Sequence, residues 1–384
     1  MLHPAPPHFT SWRDMAKRST KTTSRTAAPG CRVIASGLLV LATLLAPVPA
    51  GAAELAIGVT APLSGTSALL GGQVHAGATA AAETLAARLE IADDACTAEG
   101  GAAAARQFVA AKVKIVVGFL CTETLEAAMP VLKDAGIPVI TIGVRTDSIT
   151  DRRDKTGWPV FRLGPRADGE QKAAGEIIPA LWQKELFALI DDGTIYGREL
   201  AESVRAAAET RALKPVFVDT FRPELDNQVG LAGRLRKAGA THVFVGGDRD
   251  DVAILGRDAK GLGMELTAAG GEALRAAVGD VPLQPGTLMI GLPEPAASAS
   301  PKVLAALKQR EIVAEGYVLP AYAAVEIAVA ALAGESSSQP VLDVLGAREF
   351  QTALGKIRFD AKGDLAENPY RLFRYDGIKF AEVK

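Results

Sequence analysis

Histidine is nearly missing from this chain: there are four in 384 residues, and only His75 and His242 lie beyond residue 52. They stand far apart with no cysteine or carboxylate at ligand spacing, which argues against a histidine-built metal site and against a Ser-His-Asp triad. Nucleotide motifs are missing too. The turn after the first strand reads Ala61-Pro62-Leu63-Ser64-Gly65-Thr66, where a dinucleotide site needs G-x-G-x-x-G. Gly261-Leu262-Gly263 closes a helix instead of opening one, an ordinary place for glycine. No Walker sequence, G-x-S-x-G elbow or H-E-x-x-H occurs, so no catalytic residue, metal ligand or cofactor is assigned and the chain does not read as an enzyme. Past the N-terminal region no apolar run reaches the ~20 residues a membrane span requires.

What is present begins with an export signal. Arg13, Lys17, Arg18, Lys21, Arg25 and Arg32 precede the apolar run 33–45, which ends in Ala50-Gly51-Ala52. Basic, then apolar, then small is the order of a secretory signal peptide; it predicts cleavage after Ala52 or Ala53, loss of residues 1–52, and a periplasmic product. A membrane anchor is the other reading, but the apolar core is short for a span. The basic stretch is long enough for translation to start at Met15 rather than Met1. Cys31 precedes the apolar run, on the wrong side for lipid attachment, and leaves with the peptide. The remaining 36 basic and 43 acidic residues give a net charge of about −7, so nothing favours nucleic acid or an anionic membrane surface. The 332 residues left are too many for one ordinary core and suit two α/β lobes. Cys96 and Cys121 are then the only cysteines, an even count in an exported protein that predicts one disulfide.

Periodicity predicts alternating strands and helices. Residues 54–61 form a strand running into Pro62-Leu63-Ser64-Gly65, followed by a helix over 69–87 and a short strand over 88–92. After Asp93-Asp94-Ala95-Cys96 come an alanine-rich helix ending near Ala111, the strand Ile115-Val116-Val117-Gly118-Phe119 and, past Cys121-Thr122-Glu123-Thr124, another helix. The apolar run 137–142 ends at Gly143-Val144-Arg145-Thr146. Helices at 168–183, 196–211, 226–238 and 250–261 then interleave with strands at 186–190, 215–220, 242–246, 265–269 and 287–291. Such repetition predicts doubly wound parallel sheets, with too many strands for one. Beyond a crossing at 293–298, helices at 301–309 and 320–333 and strands at 356–359 and 370–375 return to sheets already begun.

Ligands of such sheets sit beyond the carboxyl ends of the strands. Thr122 opens a helix there, where a hydroxyl and free N–H groups make an anion site; a plain N-cap is the alternative. Arg145, ending the next strand, can clamp a carboxylate in a fork; the alternative is a solvated loop arginine beside Arg152 and Arg153. Tyr196, opening a helix after Asp191-Asp192-Gly193, lays its ring on a ligand or only packs on its own lobe.

In order and spacing these segments resemble one family, the periplasmic substrate-binding proteins of branched-chain amino acid ABC transporters, of which the leucine/isoleucine/valine-binding protein is the best known. The resemblance covers nearly the whole mature chain. It is carried by Pro62-Leu63-Ser64-Gly65, by Asp93-Asp94-Ala95-Cys96 with Gly118-Phe119-Leu120-Cys121, and by Gly136-Ile137-Pro138. Further on it is carried by Asp191-Asp192-Gly193-Thr194-Ile195-Tyr196-Gly197, by Tyr322-Ala323-Ala324-Val325 and by Phe359-Asp360-Ala361-Lys362-Gly363-Asp364. It implies two doubly wound α/β lobes, 53–165 with 294–368 and 166–293 with 369–384, joined by three hinge crossings near 164–168, 291–295 and 368–373 and closing on a ligand. Carried over by position, the ligand-carboxylate hydroxyl falls on Thr122, backbone contacts on Gly143 and Val144, and the far-lobe aromatic on Tyr196. The acid that receives an ammonium falls on Gly270 without a gap, or on Glu272 with a two-residue shift. Arg145 stands where amino acid binders carry a small hydroxyl residue, and Leu70 where the first loop often offers an aromatic.

The resemblance implies capture of a small amino acid or organic carboxylate and its delivery to a membrane permease. A ligand sensor of the same fold coupled to a signalling partner is the alternative, separable by neighbouring genes or a pull-down; an enzyme on this scaffold is a third, separable by a turnover screen. For the ligand, the expectation is a small organic anion held between Thr122 and Arg145, on the ground that a buried guanidinium must have an anionic partner.

Overall fold

The computed structural model describes residues 56–384. The predicted signal peptide, Met15, Cys31 and the first two residues of the predicted opening strand lie outside the described residues.

Apolar runs buried on both faces, such as Ala56–Ala61 and Ile115–Gly118, are what a parallel sheet covered by helices demands. Such runs, with the less buried strands Arg88–Asp93 and Phe217–Thr220, give ten strands in two parallel sheets. The first holds β1 (Ala56–Ala61), β2 (Arg88–Asp93), β3 (Ile115–Gly118), β4 (Val139–Thr141) and β5 (Val160–Arg162), all parallel, in the order β2-β1-β3-β4-β5. The second holds β6 (Phe187–Asp191), β7 (Phe217–Thr220), β8 (His242–Gly246), β9 (Thr267–Gly270) and β10 (Leu288–Gly291) in the parallel order β10-β9-β8-β6-β7. At its edge β7 alternates intermediate and exposed residues, as a strand with one open side should.

The last part of the chain divides itself. Helices Pro301–Gln309 and Val318–Ala333 return to the first core, packing with helix Ala68–Leu85 against β1 and β3. Gly77 permits this: a Cβ there would meet the Val318 carbonyl oxygen at 2.0 Å. Strands β11 (Phe350–Thr352) and β12 (Gly355–Ile357) pair only with each other, so the strand expected at 356–359 does not rejoin an earlier sheet. Instead Phe350, Ile357 and Phe359 seal the first core. Then β13 (Arg371–Tyr375) adds antiparallel to β10, and β14 (Phe380–Glu382) to β13. The chain thus passes between the sheets three times, after β5, after β10 and before β13.

Each sheet reverses its winding once, between β1 and β3 and between β6 and β8. There the following loops diverge to opposite faces and leave a crevice at the carboxyl edge. The disulfide Cys96–Cys121, with Cα atoms 5.5 Å apart, ties the loops after β2 and β3 across the end of β1. Buried Asp94 anchors it from below, accepting from Thr60 Oγ1 (2.8 Å) and from the Cys96 N–H (3.0 Å). Thiol titration of denatured, unreduced protein should find no free cysteine beyond residue 52. Reduction should cost about 3 kcal/mol for a loop of this length, and two titratable thiols would contradict the bond.

Candidate functional site

On the first sheet the site is built from the loops after β3 and β4. Gly118 has φ +122°, and a Cβ there would lie 2.0 Å from the Thr60 carbonyl oxygen, so glycine lets β3 end in a sharp turn beside β1. Cys121 caps helix Thr122–Asp134, which leaves Thr122 in the first turn with its N–H groups turned out of the helix. Its hydroxyl lies 2.7 Å from that of Thr146. In the facing loop, the Gly143 N–H donates to the Phe119 carbonyl (3.2 Å) and the Val144 N–H to Thr141 Oγ1 (3.3 Å). The next two N–H groups, of Arg145 and Thr146, make no hydrogen bond among the described residues.

Arg162, fully buried at the end of β5, fixes this loop from beneath. It donates to the carbonyls of Thr146 (2.9 Å) and Val144 (3.4 Å), to Thr150 Oγ1 (2.5 Å) and to Asp364 Oδ1 (2.8 Å). Asp364, from the turn after β12, also receives Arg166 (2.7 Å), which lies in the first passage between sheets and pairs with Asp147, Asp151 and Asp168 as well. Arg166 and Lys362 hold the Asp151 carboxyl down at about 2. The Arg145 carbonyl and the Asp147 side chain both accept from the Ala167 N–H, so the loop is coupled to the passage residue by residue.

On the second sheet Tyr196 opens the helix Ile195–Thr210 after β6 and donates to Glu170 Oε1 (2.8 Å). Glu170 sits in the first turn of helix Gly169–Leu181 and is only 8 % exposed. The same Oε1 accepts the backbone N–H of Glu272 (2.6 Å). Burial pushes the Glu170 carboxyl up, and the hydrogen bonds from the Glu272 N–H and Tyr196 oppose this; the Glu272 charge raises it further and the Arg145 charge lowers it. Buried Tyr370, just before β13, accepts from Arg145 Nη2 (2.5 Å), so a residue of the first sheet's loop already reaches the third passage. Two hydroxyls, two free N–H groups and a guanidinium lie on the loops of the first sheet, a carboxylate and two phenols lie on the other side, and the Arg145–Tyr370 hydrogen bond links the two groups. That set can bind an oxygen anion and a cation, and it contains no nucleophile paired with a base.

The sequence profile described as periplasmic binding protein matches residues 54–379. The chain belongs to that family. It is a binding protein and not an enzyme. It is 29 % identical over 350 residues to the Leu/Ile/Val-binding protein homolog 3 of Brucella melitensis, covering 86 % of this chain and 94 % of that one. It is also 29 % identical over 339 residues to the leucine-, isoleucine-, valine-, threonine- and alanine-binding protein of Pseudomonas aeruginosa, covering 83 % and 89 %. Among solved structures, an ABC transporter substrate-binding protein from Desulfitobacterium hafniense matches with a TM-score of 0.61 at 21 % identity, over 86 % of this chain and all of the other.

Within this binding protein the residues singled out from the sequence divide into three groups. Thr122 and Tyr196 lie at the two winding reversals, and each is half-buried with its hydroxyl bonded to another site residue. Gly143 and Val144 hold their N–H groups against protein acceptors, so the free backbone donors sit at Arg145 and Thr146 instead. Leu70 is 39 % exposed on the first turn of helix Ala68–Leu85. Two expectations change. Arg145 is exposed, not buried, and the buried guanidinium of this loop is Arg162. The Glu272 carboxylate is already committed, accepting from the Leu292 N–H (2.6 Å) and Arg275 Nε (2.7 Å). Thr146, Glu170 and Tyr370 were missed. Thr146 is the neighbour of Arg145 and could have been included on position, but Glu170 looks like an ordinary acidic residue in a first helical turn.

Proposed function

We propose that this protein works in the periplasm after loss of residues 1–52, captures a small amino acid or organic carboxylate between the carboxyl edges of its two sheets, and hands it to the membrane permease of an ABC importer. The observation that carries this is the convergence of the Thr122 and Thr146 hydroxyls with the unbonded N–H groups of Arg145 and Thr146 at a helix N-terminus. Hydroxyl and amide donors at such a point favour a carboxylate, and Arg145, exposed and held by Tyr370, would exchange that partner for it. Tyr196 covers the ligand from the other sheet, and Leu70 borders it from the first loop. The division into lobes 53–165 with 294–368 and 166–293 with 369–384 follows the same reading, as does their closure on the ligand. The amino acid half of the proposal is supported by the two relatives, which are named for the amino acids they bind.

A thermal-shift screen of the mature chain with amino acids, small amides, dicarboxylates and aromatic acids tests it. A ligand of the folded state at about 100 times its dissociation constant adds about 2.7 kcal/mol, so at least one amino acid or carboxylate should raise the melting temperature by several degrees. If only neutral amides do so, or nothing does, the proposal fails.

A further inference from the structure

The helix that carries Thr122 starts without the side-chain cap its neighbour has. Helix Ala98–Ala110 begins on Thr97, whose Oγ1 accepts the Gly100 N–H at 3.0 Å. Helix Thr122–Asp134 begins on Cys121, which makes no side-chain hydrogen bond to it and whose sulfur is bonded to Cys96. The bridge therefore fixes the start of this helix where a cap otherwise would, next to Thr122.

On both sides the chain reaches the bridge through left-handed backbone. Ala95 (φ +47°) and Cys96 (φ +56°) follow β2, and Gly118 (φ +122°) and Phe119 (φ +56°) come at the end of β3. Glycine adopts that conformation freely, whereas alanine, cysteine and phenylalanine hold it only where their surroundings impose it. The Phe119 carbonyl in turn accepts from the Gly143 N–H (3.2 Å) and Thr141 Oγ1 (3.1 Å). The turn tied by the bridge thus also sets the loop that presents Arg145 and Thr146.

The core behind these turns has other supports. Helices Ala98–Ala110 and Thr122–Asp134 lie so close that a Cβ on Gly101 would meet the Thr124 carbonyl oxygen at 2.2 Å. Phe108, Leu125, Met129 and Leu132 are completely buried beside them. Cys96 and Cys121 are only half-buried, so a reductant reaches the bridge without unfolding the chain.

We propose that the Cys96–Cys121 bridge is a redox switch on ligand binding: reduced by a dithiol, the protein stays folded but loosens the Thr122 and Arg145 loops and releases the carboxylate. This rests on the reading that those loops hold a small carboxylate. In the step, one thiolate of the dithiol attacks Cys96 Sγ and the S–S bond breaks. Cys121 Sγ, at a helix N-terminus that favours an anion, leaves with the electron pair and takes up a proton. The second thiol of the dithiol then displaces Cys96, which is protonated in turn. Two electrons and two protons pass to the protein, and the dithiol becomes a disulfide.

The test is titration calorimetry on the mature protein, with the bridge intact and after reduction by dithiothreitol, using the amino acids and aromatic acids of the thermal-shift screen, leucine, alanine, glutamate and benzoate among them. The oxidised protein should bind at least one of them, and reduction should weaken that one about tenfold or more, the cost of ordering a loosened loop. Far-UV circular dichroism and a cooperative melt should show the reduced chain still folded at the temperature of titration, and reoxidation should restore the affinity. By linkage, the same compound at saturation should shift the equilibrium with dithiothreitol toward the bridge by the same factor. Cys96→Ser combined with Cys121→Ser should bind like reduced wild type; should that variant not fold, the wild-type equilibrium decides alone. Unchanged affinity after reduction would overturn the switch and leave the carboxylate site standing. Binding lost only together with the cooperative melt would make the bridge a structural tie and overturn the switch as well. If the oxidised protein binds none of the compounds, the carboxylate reading fails and the switch with it.

Discussion

Replacing Asp364 with alanine should lower the folding stability by about 3 to 5 kcal/mol, the range for removing one partner of a buried ion pair. Asp364 is 2 % exposed and receives Arg162, Arg166 and Thr150 at 2.7 to 2.9 Å. Without it Arg162 keeps its bonds to the Val144 and Thr146 carbonyls but loses its countercharge in a place water does not reach. Arg166 suffers less, since Asp147, Asp151 and Asp168 remain within reach. Urea denaturation of the mature protein should therefore show a much lower midpoint for Asp364→Ala than for Asp151→Ala, whose carboxylate is substantially exposed and whose ion pairs are screened by solvent. Equal midpoints would mean that the cluster is a surface network and that the loop after β4 is held by other means.

Arg145→Ala should leave the unliganded protein nearly as stable as wild type, because the side chain is exposed and its loss resembles a surface substitution. Ligand affinity should suffer far more. If the proposed closure buries the guanidinium against a carboxylate, truncating it should cost about 2 to 5 kcal/mol, a weakening of roughly thirtyfold to several thousandfold. Thr122→Ala should cost about 1 kcal/mol, the usual contribution of one hydrogen bond, with Thr146 taking over part of its role. Calorimetric titration with a ligand found by the thermal-shift screen measures both. Wild-type affinity in Arg145→Ala would make the arginine a solvated loop residue and move the anion site wholly onto the threonines and the free N–H groups.

Much of the architecture is legible in the sequence because parallel strands covered on both faces must be apolar throughout. The runs that became β1, β3, β6 and β8 stand out for that reason, each followed by a helix. Elements that depend on distant partners do not stand out. Strand β5 is three residues behind Pro159, and the Arg162 N–H bonds to the Gly363 carbonyl (2.7 Å). β14 is equally short, and the helix Val341–Ala347 has only seven residues. At the site, Thr122 and Tyr196 could be found because each follows an apolar strand and opens a helix. Glu170 could not, since its meaning comes from Tyr196 and from the Glu272 N–H, 26 and 102 residues further along. The same physics explains the arginines. A buried guanidinium is expected in the loop after β4, and there is one, but it reaches the loop from β5 and pairs with an aspartate 202 residues away, while Arg145 is exposed and bonded to Tyr370.

Whether the two sheets joined by three passages close on a small solute is tested most directly by small-angle X-ray scattering of the mature protein. Without ligand and with a saturating amount of one confirmed by calorimetry, the radius of gyration should fall on binding as the carboxyl edges of the sheets draw together around the passages after β5, after β10 and before β13. A tight ligand that leaves the radius of gyration unchanged would contradict closure, and with it the account of Arg145, Glu170 and Tyr196 as groups brought onto one solute from opposite sides.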